Sequence, residues 1–354
     1  MPALTLIVPG RLDTRTGGYG YDRRIVAGLR DRGWGVEVIG LADSFPFPSA
    51  EARSEAIRAL ASVPDGATVL IDGLALGVLP AEVEREAERL RITGLVHHPL
   101  AAEAGLDADA IATLERSERR ALAAVRSVVV TSAATARSLA AYGVSADRVT
   151  VVEPGTDPAP VAHGGRTSEV ALLCVATLTP RKGHELLLGA LSSLAQRNWR
   201  LTCAGSVDRD PPTVERLRRQ LDRSSIADRV EFVGDLDRPA LDVCYDAADL
   251  FVLATLYEGY GMAVAEALAR GVPIVSTATG AIEQLVNGGG SPAGVVLPPG
   301  DERQFGDALA RVIGDADYRA RLAEGARRAR GRLPTWDAAC DRMAAVLDAS
   351  AGRA

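Results

Sequence analysis

Short apolar runs alternate with helix-favouring stretches along the whole chain, and this alternation leaves few folds open. It is clearest over 249–276. Residues 249–254, DLFVLA, are almost continuously apolar, the pattern of a parallel strand covered on both faces. A turn with two glycines, Gly259 and Gly261, follows. Residues 262–270 are rich in Ala, Leu and Glu and favour helix, and Gly271 suits its end. The run 272–276 is the next strand. The same reading predicts strands over 4–8, 36–41, 68–72, 92–96, 127–131 and 148–152, then over 170–176, 200–204, 229–233 and 294–297. Helices are expected between them. Such alternation indicates α/β structure with doubly wound parallel sheets. A length of 354 residues suggests about two domains. The break falls in 153–168, EPGTDPAPVAHGGRTS, which carries three prolines and three glycines and is expected to be flexible.

Composition narrows the classes. Hydrophobic residues make up 47% and aromatics only 4%, so the cores are aliphatic. A net charge of −6 argues against nucleic acid as a partner. Cys174, Cys203, Cys244 and Cys340 show no C-x-x-C spacing; three lie in or beside expected strands or helices and read as small buried hydrophobes, in a reducing, cytoplasmic setting. The first nine residues lack the basic start and apolar run of a signal peptide. No apolar run approaches the ~20 residues that span a bilayer. The helix expected over 108–125 has a face with Arg116, Glu118, Arg119 and Arg120. It offers a peripheral membrane contact, but a solvated surface face is the preferred reading.

The polar residues at strand ends carry the chemistry. Glu258 lies in the loop after a strand, where open α/β sheets bind ligands, and Glu266 stands eight residues later on a helix. The backbone N–H groups of Gly259, Tyr260, Gly261 and Met262, at a helix start, suit phosphate oxygens. Two such carboxylates can also be plain solvated surface. The run Thr177-Leu178-Thr179-Pro180-Arg181-Lys182-Gly183 puts two cations beside a glycine at another helix start, which suits a diphosphate. In the front half, a strand leads to Thr16-Gly17-Gly18-Tyr19-Gly20 and a helix expected over 21–32, either a substrate loop or a tight turn. The strand over 92–96 delivers His97-His98-Pro99. Adjacent residues point to opposite sides, so these are poor joint metal ligands, and no other His or Cys stands at ligand spacing. Either caps the strand end or faces a ligand. Asp-x-Asp triplets at 107, 208, 235 and 315 are chance products of an acidic chain.

The stretch Glu258-Gly-Tyr-Gly, then Glu266, then Ala-Leu-Ala-Arg-Gly-Val-Pro-Ile-Val resembles the E-x7-E signature of glycosyltransferase family 4, the retaining enzymes of the GT-B fold. The resemblance covers the second half well and the first half loosely. It implies a GT-B fold, with two Rossmann-like doubly wound parallel-sheet domains facing across a cleft. Residues 1–160 would be the acceptor-side domain and 161–335 the nucleotide-sugar domain, with a last helix of about 336–354 crossing back to the first. It implies that Glu258 contacts the donor sugar and Glu266 the ribose, that Lys182 and Arg181 bind the diphosphate, and that Val233 lies near the nucleobase. The family's phosphate-loop Arg commonly stands where this chain has Thr177, so Arg181 either compensates or faces solvent. Gly17 and Gly18 would face the diphosphate and acceptor. A cleft-facing His would be His97 first and His98 second. The expected function is transfer of a sugar from a UDP- or GDP-sugar to a carbohydrate, lipid or small-molecule hydroxyl, with His97, Glu258 and Lys182 as the catalytic set and no required metal. The alternative is a non-catalytic sugar-nucleotide-binding protein. A nicotinamide dehydrogenase is disfavoured because neither half has a complete G-x-G-x-x-G.

Overall fold

The computed structural model describes residues 1–352, and the chain divides into two compact units. The first comprises Met1–Gly155 together with the segment from Pro334 onward, and the second is Thr156–Leu333.

The first unit holds strands β1 (Ala3–Pro9), β2 (Gly35–Leu41), β3 (Thr68–Asp72), β4 (Arg91–Val96), β5 (Ser127–Val130) and β6 (Val149–Val151). They form one parallel sheet in the order β2-β1-β3-β4-β5-β6. The strand order reverses between β1 and β3. β3 is buried along its whole length, with Val69, Leu70 and Ile71 between a buried Thr68 and Asp72. The helix Trp336–Ser350 belongs to this unit. It lies on the helix Gly17–Asp31, with Asp341 accepting a 2.6 Å ion-paired bond from Arg32. At its far end Ser350 Oγ meets Ser127 Oγ of β5 at 3.0 Å and Thr93 Oγ1 of β4 at 3.3 Å. Arg353 and Ala354, the end of the helix expected over 336–354, lie outside the described residues.

The second unit holds β7 (Val170–Val175), β8 (Trp199–Ala204), β9 (Val230–Gly234), β10 (Leu250–Leu253), β11 (Ile274–Thr277) and β12 (Gly294–Leu297). Their order is β12-β11-β10-β7-β8-β9, all parallel. Counted from β7, this is the dinucleotide-fold order, with its switch point between β7 and β10. The central strands are dry: Leu250, Phe251 and Val252 have no exposed surface.

Three sequence expectations need adjusting. The helix expected from Tyr21 begins at Gly17, because the Thr16 hydroxyl caps it by accepting from Tyr19 N. Gly17 and Gly18 therefore form its first turn. The connection after Gly155 is not a loose tether. Ala162 N donates to Arg270 O at 2.8 Å, Gly165 N to Asp249 Oδ1 at 3.0 Å and Arg330 Nη2 to Ala159 O at 2.7 Å, which pins it to the second unit. Glu118 is not on a solvated face of the helix Ala108–Ala124 but is buried, where its Oε2 accepts from Leu100 N at 2.9 Å. The Asp-x-Asp triplets have a local purpose: Asp107, Asp210, Asp237 and Asp315 each cap a helix N-terminus. No helix of the described residues is long and apolar enough to cross a membrane.

Glu118 yields a stability prediction. Burial, opposed by the Leu100 amide and helped by Glu115, pushes its carboxyl up to about 8. Between the ordinary carboxylate range and about 8 the folded chain therefore holds a proton that the unfolded chain has lost. Stability contributed by this group falls as pH rises through that window. Glu118→Gln is expected to flatten the fall and to raise the urea midpoint at alkaline pH, with little effect near pH ~4.

Candidate functional site

In the second unit the chain leaves β7 and β10 in opposite directions, so their two carboxyl-end loops diverge from one crevice. Residues 176–183 follow β7 and residues 254–261 follow β10. The loops are laced together. Leu256 N donates to Arg181 O at 2.7 Å, and the Thr255 hydroxyl is 3.1 Å from the same oxygen. The Arg181 guanidinium donates to Tyr257 O at 2.9 Å. Gly183, between Lys182 and the helix His184–Ser192, has φ +69°, and a Cβ there would stand 1.9 Å from Ala254 O. Only glycine fits that left-handed turn against a neighbouring backbone. Gly280 serves the loop after β11 likewise: at φ +56°, a Cβ would meet Glu258 O at 2.4 Å.

This lacing brings Lys182 Nζ to 2.5 Å from Glu258 Oε1. Both side chains are largely buried, at 18% and 10% exposed. Burial by itself would raise the Glu258 carboxyl, but Lys182 and then Arg181 outweigh it and hold it below the ordinary range. A paired ammonium and carboxylate at a sheet switch point can separate onto two halves of one ligand, an anion and a polyol.

The helix Met262–Ala269 starts beside this pair. Its N-terminal neighbour is Gly261, and no side chain caps it. The helix His184–Ser192 is likewise without a side-chain cap. Elsewhere Ser49, Asp107, Asp210, Asp237 and Asp301 cap helices with their own oxygens. The switch-point helices thus leave their first N–H groups and dipole ends to an outside anion. Tyr260 is buried against Ala265 and Ala281, with Met262 packed on them, so these two residues offer a ligand backbone rather than ring or thioether. Glu266 stands one turn into the helix. Its carboxylate accepts from Tyr245 Oη at 3.1 Å and pairs with Arg238 at 3.3 Å. Tyr245 is held in turn by the Arg270 guanidinium, 4.4 Å over its ring. Val233 is at the carboxyl end of the edge strand β9.

The first unit has its own cluster at the carboxyl ends of β3 and β4. His97 follows β4 and lies against the first turn of the helix Gly17–Asp31, where a Cβ on Gly18 would be 3.4 Å from its ring. Its Nε2 is 3.3 Å from Asp22 Oδ1 and 3.6 Å from Asp72 Oδ2. Tyr21 meets the imidazole edge-on, with ring centres 5.5 Å apart. Burial and the facing Asp22 push the Asp72 carboxyl up to about 7, against the pull of His97. Burial works against a charged His97, yet Asp22 and Asp72 outweigh it and raise the imidazole above its usual value. His98 points away, with its Nε2 3.7 Å from Glu103 Oε2.

Two family models match successive parts of this chain. One described as "Glycosyltransferase Family 4" covers residues 22–160, and one described as "Glycosyl transferases group 1" covers 159–329. Together the two models span residues 22–329, and the chain matches the glycosyltransferase families that both describe. A relative is the D-inositol 3-phosphate glycosyltransferase of Xylanimonas cellulosilytica, 31% identical over 65% of this chain. The match spans 58% of that relative's length. Sucrose-phosphate synthase from Thermosynechococcus elongatus shares the fold at a TM-score of 0.85, with 21% identity and 100% of both chains covered. HepE of Anabaena, solved with UDP and glucose, does so at 0.77, with 18% identity, covering 97% of this chain and 99% of its own.

The structure groups the candidate residues in two sets. Lys182, Arg181, Glu258, Gly259 and Gly261 gather at the β7–β10 switch point, with Glu266 on the helix behind. Gly17, Gly18 and His97 gather in the first unit. Asp22 and Asp72 join His97 there without having been singled out from sequence. Asp72 ends a strand and Asp22 follows a glycine turn, which are the only signals the sequence held.

The ion pair can be tested without substrate. Lys182→Ala leaves a buried carboxylate uncompensated and is expected to cost about 2 kcal/mol, discounted for its partial exposure. Glu258→Gln in the same chain should recover much of that loss. Urea unfolding at neutral pH of the two single variants and the double variant gives the coupling, and additive losses would exclude it.

Proposed function

We propose that this glycosyltransferase moves a sugar from a UDP- or GDP-sugar to an acceptor hydroxyl with retention at the anomeric carbon. The observation that carries this reading is the Lys182–Glu258 pair, 2.5 Å apart at the switch point beside two helix starts without side-chain caps. A donor would divide the pair. Lys182, with Arg181 and the N–H groups near Gly259–Met262, takes the diphosphate, while Glu258 accepts hydrogen bonds from the sugar hydroxyls. Glu266 binds the ribose hydroxyls, and Val233 borders the base. The nucleoside diphosphate bound to HepE supports the same ligand class here.

The acceptor oxygen attacks the anomeric carbon on the face from which the phosphate departs. The carbon–phosphate-oxygen bond breaks, the diphosphate takes the electron pair, and its released oxygen receives the acceptor proton. Lys182, Arg181 and the helix N-termini stabilise the charge that grows on the leaving group. Glu258 positions the sugar and does not attack it. His97, held charged by Asp22 and Asp72, donates a hydrogen bond to a sugar hydroxyl, and Gly17 and Gly18 let the first unit's backbone approach the substrates. The cationic side chains take the part a divalent ion would play, so transfer requires none. A carbohydrate, lipid or small molecule supplies the acceptor hydroxyl in a cytoplasmic setting. A sugar-nucleotide-binding protein without transferase activity would show the donor affinity alone.

Thermal-shift measurements against uridine, guanosine, adenosine and cytidine diphosphates are expected to raise the melting temperature for the uridine or guanosine carrier. Glu266→Ala should weaken that nucleotide at least about tenfold, the scale of a lost charged hydrogen bond, and unchanged affinity would remove its ribose role. Transfer from a radiolabelled donor should survive a chelator, whereas loss restored by manganese would contradict the metal-free step. Asp22→Asn is expected to shift the alkaline limb of kcat/KM to lower pH, since the carboxylate that keeps His97 protonated is gone.

A further inference from the structure

β7 and β8 pair in parallel register with Cys174 directly opposite Cys203, so both thiols leave the sheet on one face. Both are buried, each at 1% exposed. The helix His184–Ser192 places its first residue over the same spot. His184 is 2% exposed, and its Nε2 lies 3.7 Å from Cys174 Sγ. One ligand atom from each of the three residues lies within 4.8 Å of both others.

The imidazole has no ordinary reason to be there. Its Nδ1 is buried without a hydrogen-bond partner, and its Nε2 touches only sulfur. With its proton on Nδ1, the imidazole presents the Nε2 lone pair to the space beside the Cys174 sulfur, where a cation could accept it. The core beside the thiols is aliphatic, with Leu172, Leu187 and Leu201 all buried, so the site suits a soft cation better than water.

We propose that Cys174, His184 and Cys203 form a binding site for a thiophilic divalent cation of the zinc type. Zinc–sulfur bonds of about 2.3 Å and zinc–nitrogen bonds of about 2.0 Å set sulfur and nitrogen about 3.6 Å apart in a tetrahedral shell. The observed 3.7 Å separation needs almost no movement to reach that spacing. Two thiolates and a neutral imidazole cancel the charge of the ion, so the loaded site is neutral and tolerates burial. Hard cations prefer oxygen ligands and are excluded by the sulfur–imidazole set. On binding, two thiol protons pass to solvent and two metal–sulfur bonds form, with no change of oxidation state. Because His184 directly follows Gly183 and Lys182, the ion ties β7, β8 and the helix together behind the loop that holds Lys182. The site is distinct from the Lys182–Glu258 pair and stands whether or not the chain transfers sugar.

The test uses untagged full-length protein, expressed with added zinc, kept reduced and gel-filtered. Elemental analysis is expected to find about one zinc per chain, as the single Cys2His cluster requires. Cadmium in place of zinc should give an ultraviolet thiolate-to-metal charge-transfer band. The Cys174→Ala/Cys203→Ala variant should lose both signals, and His184→Gln should weaken retention against a chelator at least about tenfold. Three results would overturn the proposal: folded wild-type protein without zinc or a cadmium band, zinc retained unchanged by the double variant, or a Cys174–Cys203 disulfide in protein isolated without reductant. The wild-type measurements decide the question even if the variants do not fold.

Discussion

A charged pair set into the mouth of a dry sheet orders the second unit. Lys182 and Glu258 come from loops separated by 76 residues of sequence, yet they meet because β7 and β10 are neighbours. Taking two charges out of water costs several kcal/mol per ion unless geometry and extra hydrogen bonds compensate. Compensation here is structural: Arg181 and Thr255 stitch the two loops, and Gly183 and Gly280 let the backbones close on one another. The aliphatic sheet beneath excludes water and strengthens the attraction.

The two units solve a similar problem in different ways. Each has a parallel sheet whose order reverses once, and each gathers titratable groups at the carboxyl ends of its strands. The second unit balances one carboxylate with one ammonium and borders them with helix starts that no side chain caps. The first balances two buried carboxylates with one imidazole. Its charges do not cancel if all three ionise, and burial with the facing Asp22 raises Asp72 to about 7. The second unit's arrangement offers a fixed positive partner for an anion. The first unit's offers a group that holds or gives a proton near neutrality.

Much of the fold was legible because strand and helix signals reinforce each other in α/β chains. The runs over 68–72 and 249–254 needed little context, since a doubly covered strand is apolar through its middle. The Glu258–Glu266 spacing was readable because strand, turn and helix fix where each side chain goes. Helix starts were less clear: Gly17 and Gly18 read as a turn because glycine is a poor helix former, but the Thr16 cap overrides that preference. Glu118 read as surface because its neighbours are Arg, although the amide of Leu100, which no local pattern reveals, donates a hydrogen bond to it in the interior.

Sequence by itself determined the alternation of strands and helices, the parallel sheets and the residues standing at strand ends, because these follow from side-chain periodicity and backbone preference over a few residues. Tertiary structure alone decided which strand ends are neighbours. That choice joined Lys182 to Glu258, set Asp22 and Asp72 around His97, and brought Cys174, Cys203 and His184 within 4.8 Å of one another at sequence separations that carry no ligand signature. The physical reason is that strand order in a sheet is fixed by the burial of whole faces, a global quantity, whereas a motif records only what neighbours along the chain can do.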